Sequence, residues 1–497
     1  MKNLRQKTPR PARRSKQLTT LGFFAITVIM VMDIYEFPVF ATSGLSLGFF
    51  LVVGGLLWFL PAALCSAEMA TVEAWRDGGI FAWVEGTLGT RLGFAALFFQ
   101  WFQITICFVT MLYFIVSVLE APLQGFAALA SLDDNPAIKF VVATVIFWLI
   151  TVFQLGGTKH TEAIGRVAFI VGVCIPMLVL AGLFIAYLAS GSPLQIALTP
   201  AALLPDFSHV STLVVFVAFI LAYGGIEASA PYANDLENPK REYPRVILMA
   251  VVVAILINTV GGLSIAATVP AEELSLSKGI IQALQLLLAH FNGNLTWLAD
   301  GIALCIAVGV VGEISGWVTG PVREMHDAAK EGFLPPLFAR TNRHDVPVPL
   351  VLAQGVVVTV WTGVLTFGGG GANLSFLAAI SLTTAVYLLA YLLLFVGYLV
   401  LVYKKRRLKR LYEVPGKTLG KTLVAVCGLV LSLCALAISF VPPASIEQLQ
   451  TGAYEAILAG GFVSVMLAPF ILYAVRRKKI KAALTRRADK APGRRNP

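Results

Sequence analysis

The chain has 497 residues, of which 58% are hydrophobic and only 13% are charged, and this composition excludes an ordinary soluble enzyme. The formal net charge of +11 does not indicate a nucleic-acid partner, because the basic residues lie in short clusters between long apolar runs. We therefore predict an all-α polytopic membrane protein.

Twelve apolar runs are long enough to cross a hydrocarbon core of about 30 Å, and we number them spans 1 to 12. Their predicted bounds are 20–42, 45–67, 92–119, 138–155, 163–188, 208–231, 245–269, 297–321, 348–367, 373–402, 421–441 and 453–475. These bounds predict a basic N-terminal segment at 1–17, a transporter domain at 18–475 and a short basic tail at 476–497.

The basic residues predict the orientation of the bundle. All 38 Lys and Arg except Lys139 and Lys278 lie in the N-terminal segment, in or at the edges of the loops after even-numbered spans, or in the tail. Cytoplasmic loops of membrane proteins carry such an excess, so both termini are predicted to be cytoplasmic. The N-terminus shows no signal-peptide cleavage pattern, so span 1 is expected to remain in the protein.

Span 1 is interrupted near its middle by polar residues and a proline. Asp33, Tyr35 and Glu36 precede Pro38, which lacks a backbone donor and disfavours helical geometry at Phe37. We predict a broken helix here, and a proline kink with carboxylates near the membrane interface is the alternative.

Span 6 carries a second interruption. Gly224 and Gly225 lie in mid-run, followed by Glu227 and then Pro231. Each glycine weakens a helix by about 1 kcal/mol, and a carboxylate at bilayer depth costs at least about 2.5 kcal/mol on insertion scales. Such backbone is tolerated where it lines a cavity, so we expect a binding site at this break.

The two interruptions are five spans apart. This spacing predicts two five-helix inverted repeats that share a midplane site, with spans 11 and 12 as additional helices. A broken helix exposes N–H groups at one half-helix end, suited to a carboxylate, and carbonyls at the other, suited to an amine. The predicted ligand is therefore a zwitterion.

Two polar connections carry further patterns. The segment 67–93 suits a short helix at the membrane surface, and the segment 320–354 suits an amphipathic helix of its own. Their sequences resemble the amino acid–polyamine–organocation transporters in the stretches GGIFAWVEGTLG, ENPKREYP, GPVREMHDAAKEGFLP and VPVP. This resemblance covers nearly all of the chain, from about Leu18 to Tyr473.

Within that superfamily the chain most resembles the bacterial glutamate/γ-aminobutyrate antiporters of acid resistance. The stretches that carry this likeness include KQLTTLGFFAIT, YEFPVFATSG, LCSAEMATVEAW and PDFSHVSTLVVFVAFILAY. The resemblance implies a LeuT-like fold in the inner membrane and exchange of an external amino acid for its internal decarboxylated amine, without a metal or other cofactor. Alternatives are another amino acid/amine pair, a proton-coupled symporter of this fold, and a sensor or membrane enzyme. The expected partners are these small molecules and lipid, not nucleic acid, and the oligomeric state is left open.

The resemblance and the two interruptions together nominate the site residues. The residues that resemble the family's substrate path are Tyr35, Glu227, Trp317, Tyr387 and Tyr391. The breaks add Asp33, Tyr223, Gly224 and Gly225, and span 3 adds Gln103. Tyr387 and Tyr391 share a helix face, and Trp317 suits a cation–π contact with an amine. Packing between helices is the alternative for each of these aromatic residues.

Two features depart from the family pattern. Asp33 stands where we expect the family to have a small residue, and the added carboxylate favours a more cationic substrate. The tail has no histidine, whereas the family's longer tail includes one and plugs the cytoplasmic mouth. All five histidines lie outside the cores of the predicted spans, so a histidine switch within the membrane is not expected.

Overall fold

The computed structural model describes residues 19–29, 34–75, 78–126, 132–157, 167–295, 297–368, 371–443 and 451–490. Within these ranges the chain is built of helices, and the β pairing there is one isolated bridge between Val72 and Arg410. The prediction of an all-α protein is confirmed.

Eleven helical segments of the described chain are long and apolar enough to cross a membrane, and they correspond to spans 2 to 12. Their bounds are Gly44–Ala70, Thr90–Leu123, Pro136–Gln154, Val167–Ala189, Phe216–Asp235, Pro239–Ala266, Trp297–Lys330, Val348–Phe367, Gly371–Tyr403, Lys417–Ser439 and Tyr454–Ile480. The prediction of a multi-pass membrane protein is confirmed.

Span 1 differs from the others because it is not one long helix. The described residues form a helix at Thr20–Ile29, a single 3-10 turn at Ile34–Glu36 and a short helix at Phe37–Ala41. Asp33 lies outside the described residues, so the structure does not test its predicted role. The relation of spans 1–5 to spans 6–10 as inverted repeats stays a prediction.

Spans 2 and 5 each contain one wide π-helical turn, at Gly55–Phe59 and Ile170–Cys174. In both, the α-helix that follows has a proline in its first two positions, Pro61 or Pro176. Proline has no N–H to donate to the preceding turn, which explains why regular hydrogen bonding is interrupted there. Shorter helices connect the spans at Gly79–Leu88, Val210–Leu213 and Gly279–Asn292.

The loops after even-numbered spans contact one another on one side of the bundle, which we call the basic face. Asn342, after span 8, donates to the carbonyl of Leu155 at the end of span 4 at 2.8 Å. Arg476, after span 12, donates to the carbonyl of Leu334 at 2.9 Å. The alternation of the loops predicted from the basic residues therefore matches the structure.

The other side of the bundle holds the opposite-face ion cluster of Glu120, Asp133, Lys139 and Lys278. Lys139 pairs with Asp133 at 2.6 Å, and Lys278 pairs with Glu120 at 3.0 Å. Lys139 lies within the helix of span 4 and is 3% exposed, so its charge depends on this partner. The cluster ties the end of span 3, the start of span 4 and the loop after span 7 together.

The structure bears on three expectations about the basic face. The predicted short helix is present at Gly79–Leu88, and its Trp83, which is 1% exposed, packs against the bundle. No separate amphipathic helix follows span 8, whose helix continues through Pro321 to Lys330. No helix end marks the predicted boundary at residue 475, because the last helix runs on to Lys490.

Candidate functional site

The helix of span 6 breaks at the two glycines. Its first half, Phe216–Leu221, ends in a turn in which Gly224 N–H donates to the carbonyl of Leu221 at 2.7 Å. Gly225 has φ +93°, and the second half begins directly after it at Ile226. The prediction of an interrupted helix at this point is confirmed.

The two glycines are required for different reasons. Gly225 adopts a left-handed conformation that costs residues with a Cβ about 1–2 kcal/mol. At Gly224 an added Cβ would overlap the ring of Tyr387 from span 10. The pair therefore permits both the turn and the close approach of span 10.

Glu227, in the first turn of the second half-helix, is buried and accepts hydrogen bonds from three side chains. Tyr387 donates to Oε1 at 2.5 Å, Tyr391 donates to Oε2, and Gln100 of span 3 donates to Oε1 at 3.0 Å. Both carboxylate oxygens thus have partners from other helices. Sequence reasoning missed Gln100, although it lies one helical turn before the nominated Gln103 and so on a similar face.

The hydroxyl of Tyr387 also accepts a hydrogen bond from the backbone N–H of Gly225 at 2.5 Å. This N–H is one of the donors that a helix start leaves without a partner inside the helix. One hydroxyl of span 10 therefore contacts both the backbone of the break and the carboxylate two residues later.

A small cavity of about 30 Å³ adjoins the break. Six of the nominated residues line it: Tyr35, Gln103, Gly224, Gly225, Trp317 and Tyr387. Its volume is about that of one water molecule, so an amino acid does not fit without movement of the walls. The Tyr35 hydroxyl lies 3.5 Å from the sulfur of Cys107 on span 3.

A larger cavity of about 520 Å³ extends from Glu227 toward the basic face, and we call it the vestibule. Its lining includes Gln100, Glu227, Tyr232, Glu313, Trp317 and Glu324. Tyr232 is 39% exposed, so solvent reaches the vestibule at that end. Trp317 and Glu313 line both cavities and stand between them.

The path toward the opposite face is filled by aromatic rings. Phe219, on the first half of span 6, stacks on Phe40 with ring centroids 4.5 Å apart and on Phe50 at 5.2 Å. All three rings are buried. In the described conformation Glu227 is open to the basic-face side, and these rings separate the break from a further cavity of about 290 Å³ on the other side, which Phe50 lines.

Tyr391 lines neither cavity but bonds Glu227, whereas Tyr223 lies away from both the cavities and this carboxylate. Its hydroxyl donates to the carbonyl of Leu51 on span 2 at 2.9 Å, and its ring lies beside Gly54 and Gly55. It does not line either cavity, so this geometry gives it a packing role between spans 2 and 6.

Comparisons with known proteins agree with this architecture. The family model "Amino acid permease" matches residues 18–463. The chain is 56% identical over 464 residues to a glutamate/gamma-aminobutyrate antiporter of Lactococcus lactis subsp. lactis, covering 93% of this chain and 92% of that protein. It is 30% identical to an uncharacterized transporter of Legionella pneumophila, covering 92% and 96%. A probable agmatine/putrescine antiporter of Lactococcus lactis is 24% identical, covering 92% and 95%. The chain belongs to the amino acid permease family.

Proposed function

We propose that this protein exchanges external glutamate for internal γ-aminobutyrate across a bacterial inner membrane, with the basic face in the cytoplasm. The identity of 56% to an antiporter of that name supports the substrate pair. The observation that carries the site is the buried carboxylate of Glu227 at the break in span 6, bonded by Tyr387 and Tyr391.

In this proposal the break recognises both ends of a zwitterion. N–H groups at the start of the second half-helix attract the substrate carboxylate, as at other helix N-termini. Glu227 and the ring of Trp317 attract the ammonium group, by charge and by a cation–π contact. The cavity of about 30 Å³ must widen to admit substrate, so Tyr387 and Trp317 are expected to move.

The net charge moved in each exchange cycle explains how the exchange would help a cell in acid. Glutamate has a side-chain pKa near 4.3, so a growing fraction is a net-neutral zwitterion as the external pH falls toward that value. Decarboxylation of the net-neutral form yields CO2 and net-neutral γ-aminobutyrate, whose carboxylate takes up one cytoplasmic proton to give the monocation. Exchange of neutral glutamate for this monocation exports one positive charge, so each cycle removes one proton from the cytoplasm.

Counterflow in proteoliposomes tests the proposed pair. Labelled external glutamate should accumulate in vesicles loaded with γ-aminobutyrate and not in empty vesicles. Uptake into empty vesicles that depends on a pH gradient would instead show proton symport. Exchange with agmatine and putrescine but not with γ-aminobutyrate would replace the proposed pair by a cationic one.

The orientation has its own test. Arg406, after span 10, and Glu272, after span 7, are both exposed and lie on opposite faces. In intact cells, a membrane-impermeant maleimide should label Glu272→Cys and should label Arg406→Cys only after the cells are broken. The reverse pattern would invert the proposed topology.

A further inference from the structure

The described residues that line the vestibule carry a single sign of charge. Its lining carries the carboxylates of Glu227, Glu313 and Glu324, and the described residues that line it include no Lys, Arg or His. A cavity with low-dielectric walls and one sign of charge concentrates ions of the other sign. The vestibule therefore favours cations over anions on the way to the break.

Glu324 differs from Glu227 in its hydrogen bonding. Both oxygens of Glu227 accept hydrogen bonds from tyrosines, whereas Oε2 of Glu324 is buried from solvent and accepts none. A buried carboxylate oxygen without a donor is costly, and a cationic ligand that reaches it relieves that cost. A cation in the vestibule therefore gains more at Glu324 than at Glu227, because Glu227 already has its donors.

A glycine packs directly against the carboxylate of Glu324. Gly79 faces it, and a Cβ at that position would lie 3.0 Å from Oε1 of Glu324. Gly79 also has φ +52°, a conformation that favours glycine. Trp317 lines the same cavity and offers an aromatic surface to an ammonium group.

We propose that Glu324 is a second binding station, which holds the ammonium group of the amine substrate in the vestibule before it reaches Glu227. The ligand class is a primary alkylammonium ion. That this ion is the exported amine rests on the proposed function, whereas the station itself rests on the carboxylate and the cavity. Glutamate also carries an ammonium group, but at cytoplasmic pH its two ionised carboxylates make it net anionic and the charge of Glu324 repels it, so the station favours the amine.

A purely structural role for Glu324 makes a different prediction. Its carboxylate lies beside the start of the helix Gly79–Leu88, where a negative charge stabilises the helix dipole. If that were its whole role, removing the charge would lower thermal stability and leave ligand affinity unchanged.

The direct test places a thiol in the vestibule. Gly320 lines the cavity, and no atom lies within 4 Å of the position a Cβ would take there. In purified Gly320→Cys protein, the rate of modification at residue 320 is measured by mass spectrometry with a cationic aminoethyl and an anionic sulfonatoethyl methanethiosulfonate. The concentration of n-butylammonium that halves the cationic reagent's rate then reports occupancy of the station.

Adding Glu324→Gln should raise that half-protecting concentration about tenfold, because a hydrogen bond to a charged group contributes about 1.5–3 kcal/mol. Glu324→Asp should keep it within about threefold of the parent. The matched control is Asp327→Asn, which removes the same charge three residues away, where Asp327 is exposed and pairs with Lys330 at 3.0 Å. Two results would overturn the proposal: no protection in the parent protein, or an equal increase of the half-protecting concentration in Glu324→Gln and in the control.

Transport measurements distinguish a failure of this proposal from a failure of the proposed function. In proteoliposomes, Glu324→Gln should raise the internal γ-aminobutyrate concentration needed for half-maximal exchange and leave glutamate/glutamate homoexchange unchanged. If the wild type exchanges no γ-aminobutyrate, the proposed function is wrong. The protection experiment with n-butylammonium still shows whether Glu324 binds an alkylammonium ion. An equal loss of both exchange modes together with a lower Tm would assign Glu324 to structure alone.

Discussion

The Tyr387 hydroxyl donates to Glu227 at 2.5 Å while accepting the Gly225 N–H at the same distance. Span 10 is thus tied to both sides of the break in span 6 through one oxygen atom. Tyr391, one turn further along, donates to the other oxygen of Glu227 and does not contact the backbone of the break in this way. The two tyrosines are therefore not equivalent, although sequence spacing alone treats them alike.

This difference predicts unequal effects of the two Tyr→Phe changes. Tyr387→Phe removes a donor to a carboxylate and the acceptor of Gly225 N–H, whereas Tyr391→Phe removes only a donor. With about 1.5–3 kcal/mol for each hydrogen bond to a charged group, Tyr391→Phe should lower exchange about tenfold and Tyr387→Phe by more. Initial rates of glutamate/γ-aminobutyrate exchange at equal reconstituted protein measure both. Equal losses would show that the contact with Gly225 does not contribute.

Glu227 itself should be required for exchange. We expect Glu227→Ala to lose most transport while the protein still inserts, because it removes the charge that meets the substrate ammonium. Glu227→Gln, which keeps the shape and part of the hydrogen bonding, separates the charge from the packing. Flux at wild-type level in well-inserted Glu227→Ala protein would remove this residue from the substrate path.

The two glycines of the break can be tested against a glycine with free space around it. Gly225→Ala strains the backbone by about 1–2 kcal/mol, and Gly224→Ala pushes the ring of Tyr387 away from Glu227. Both changes should reduce exchange. Gly182→Ala in span 5 is the control, since no atom lies within 4 Å of its added Cβ and alanine favours the helix. A control that loses as much activity would mean that the effect is not specific to the break.

The opposite-face ion cluster predicts a pH-dependent stability. Burial alone would raise the pKa of the Asp133 carboxyl, but the Lys139 ammonium and the Ser117 hydroxyl outweigh it, so that pKa lies below its ordinary value. A carboxyl with a lowered folded-state pKa stabilises the fold fully above its unfolded pKa of about 3.9 and loses this effect as the pH falls through the folded value. Asp133 therefore keeps its charge through the moderately acidic range in which the proposed exchange is useful.

Asp133→Asn should accordingly destabilise the protein by about 3–5 kcal/mol near neutral pH, because it leaves Lys139 buried without its counter-charge. The difference in Tm from wild type, measured in detergent, should stay constant down to about pH 4 and shrink below it. Asp134→Asn is the matched control, because Asp134 is adjacent and exposed. A difference that grows as the pH falls below 4 would contradict the assigned direction of the pKa.

The features that depend on local sequence pattern could be predicted from the sequence. The apolar runs gave the spans, and the diglycine before Glu227 gave the break, because glycine content and hydropathy act within a few residues. Contacts between helices that are far apart in the sequence could not be predicted in this way. The three donors of Glu227 come from positions more than 120 residues away, and no spacing rule shows that Gln100 rather than Gln103 faces this carboxylate.

The predicted end of span 8 and the predicted place of Tyr223 at the site differ from the structure for local reasons. The predicted bounds end span 8 at residue 321, but the helix continues through Pro321, which places Glu324 on the span and in the vestibule rather than in a loop. A single proline removes only one backbone donor, and the rest of a long helix can tolerate that loss. Tyr223 shared the sequence neighbourhood of the break, but the turn at Gly224 directs its side chain to span 2.

The last helix allows the role of the tail to be tested by two truncations. Ile480 is fully buried and Arg476 bonds the carbonyls of Gly332 and Leu334, so the first turns after residue 475 are packed against the basic face. Deleting 477–497 should lower Tm, since exposing the site of a buried Ile costs about 1.5–3 kcal/mol. Deleting only 482–497 should leave Tm unchanged and serves as the matched control.

Neither truncation should move the pH profile of exchange. Histidine is the side chain whose ordinary pKa lies between pH 5 and 8, and the residues after Arg476 contain none. We expect transport by the full chain to rise as the pH falls toward 4.3, following the protonation of the glutamate side chain, and to do so equally in both truncated proteins. Exchange is measured from pH 4 to 8 in proteoliposomes with the same pH on both sides. A truncated protein newly active at neutral pH would show that this basic tail closes the vestibule, and a flat profile in the full chain would contradict the proposed substrate pair.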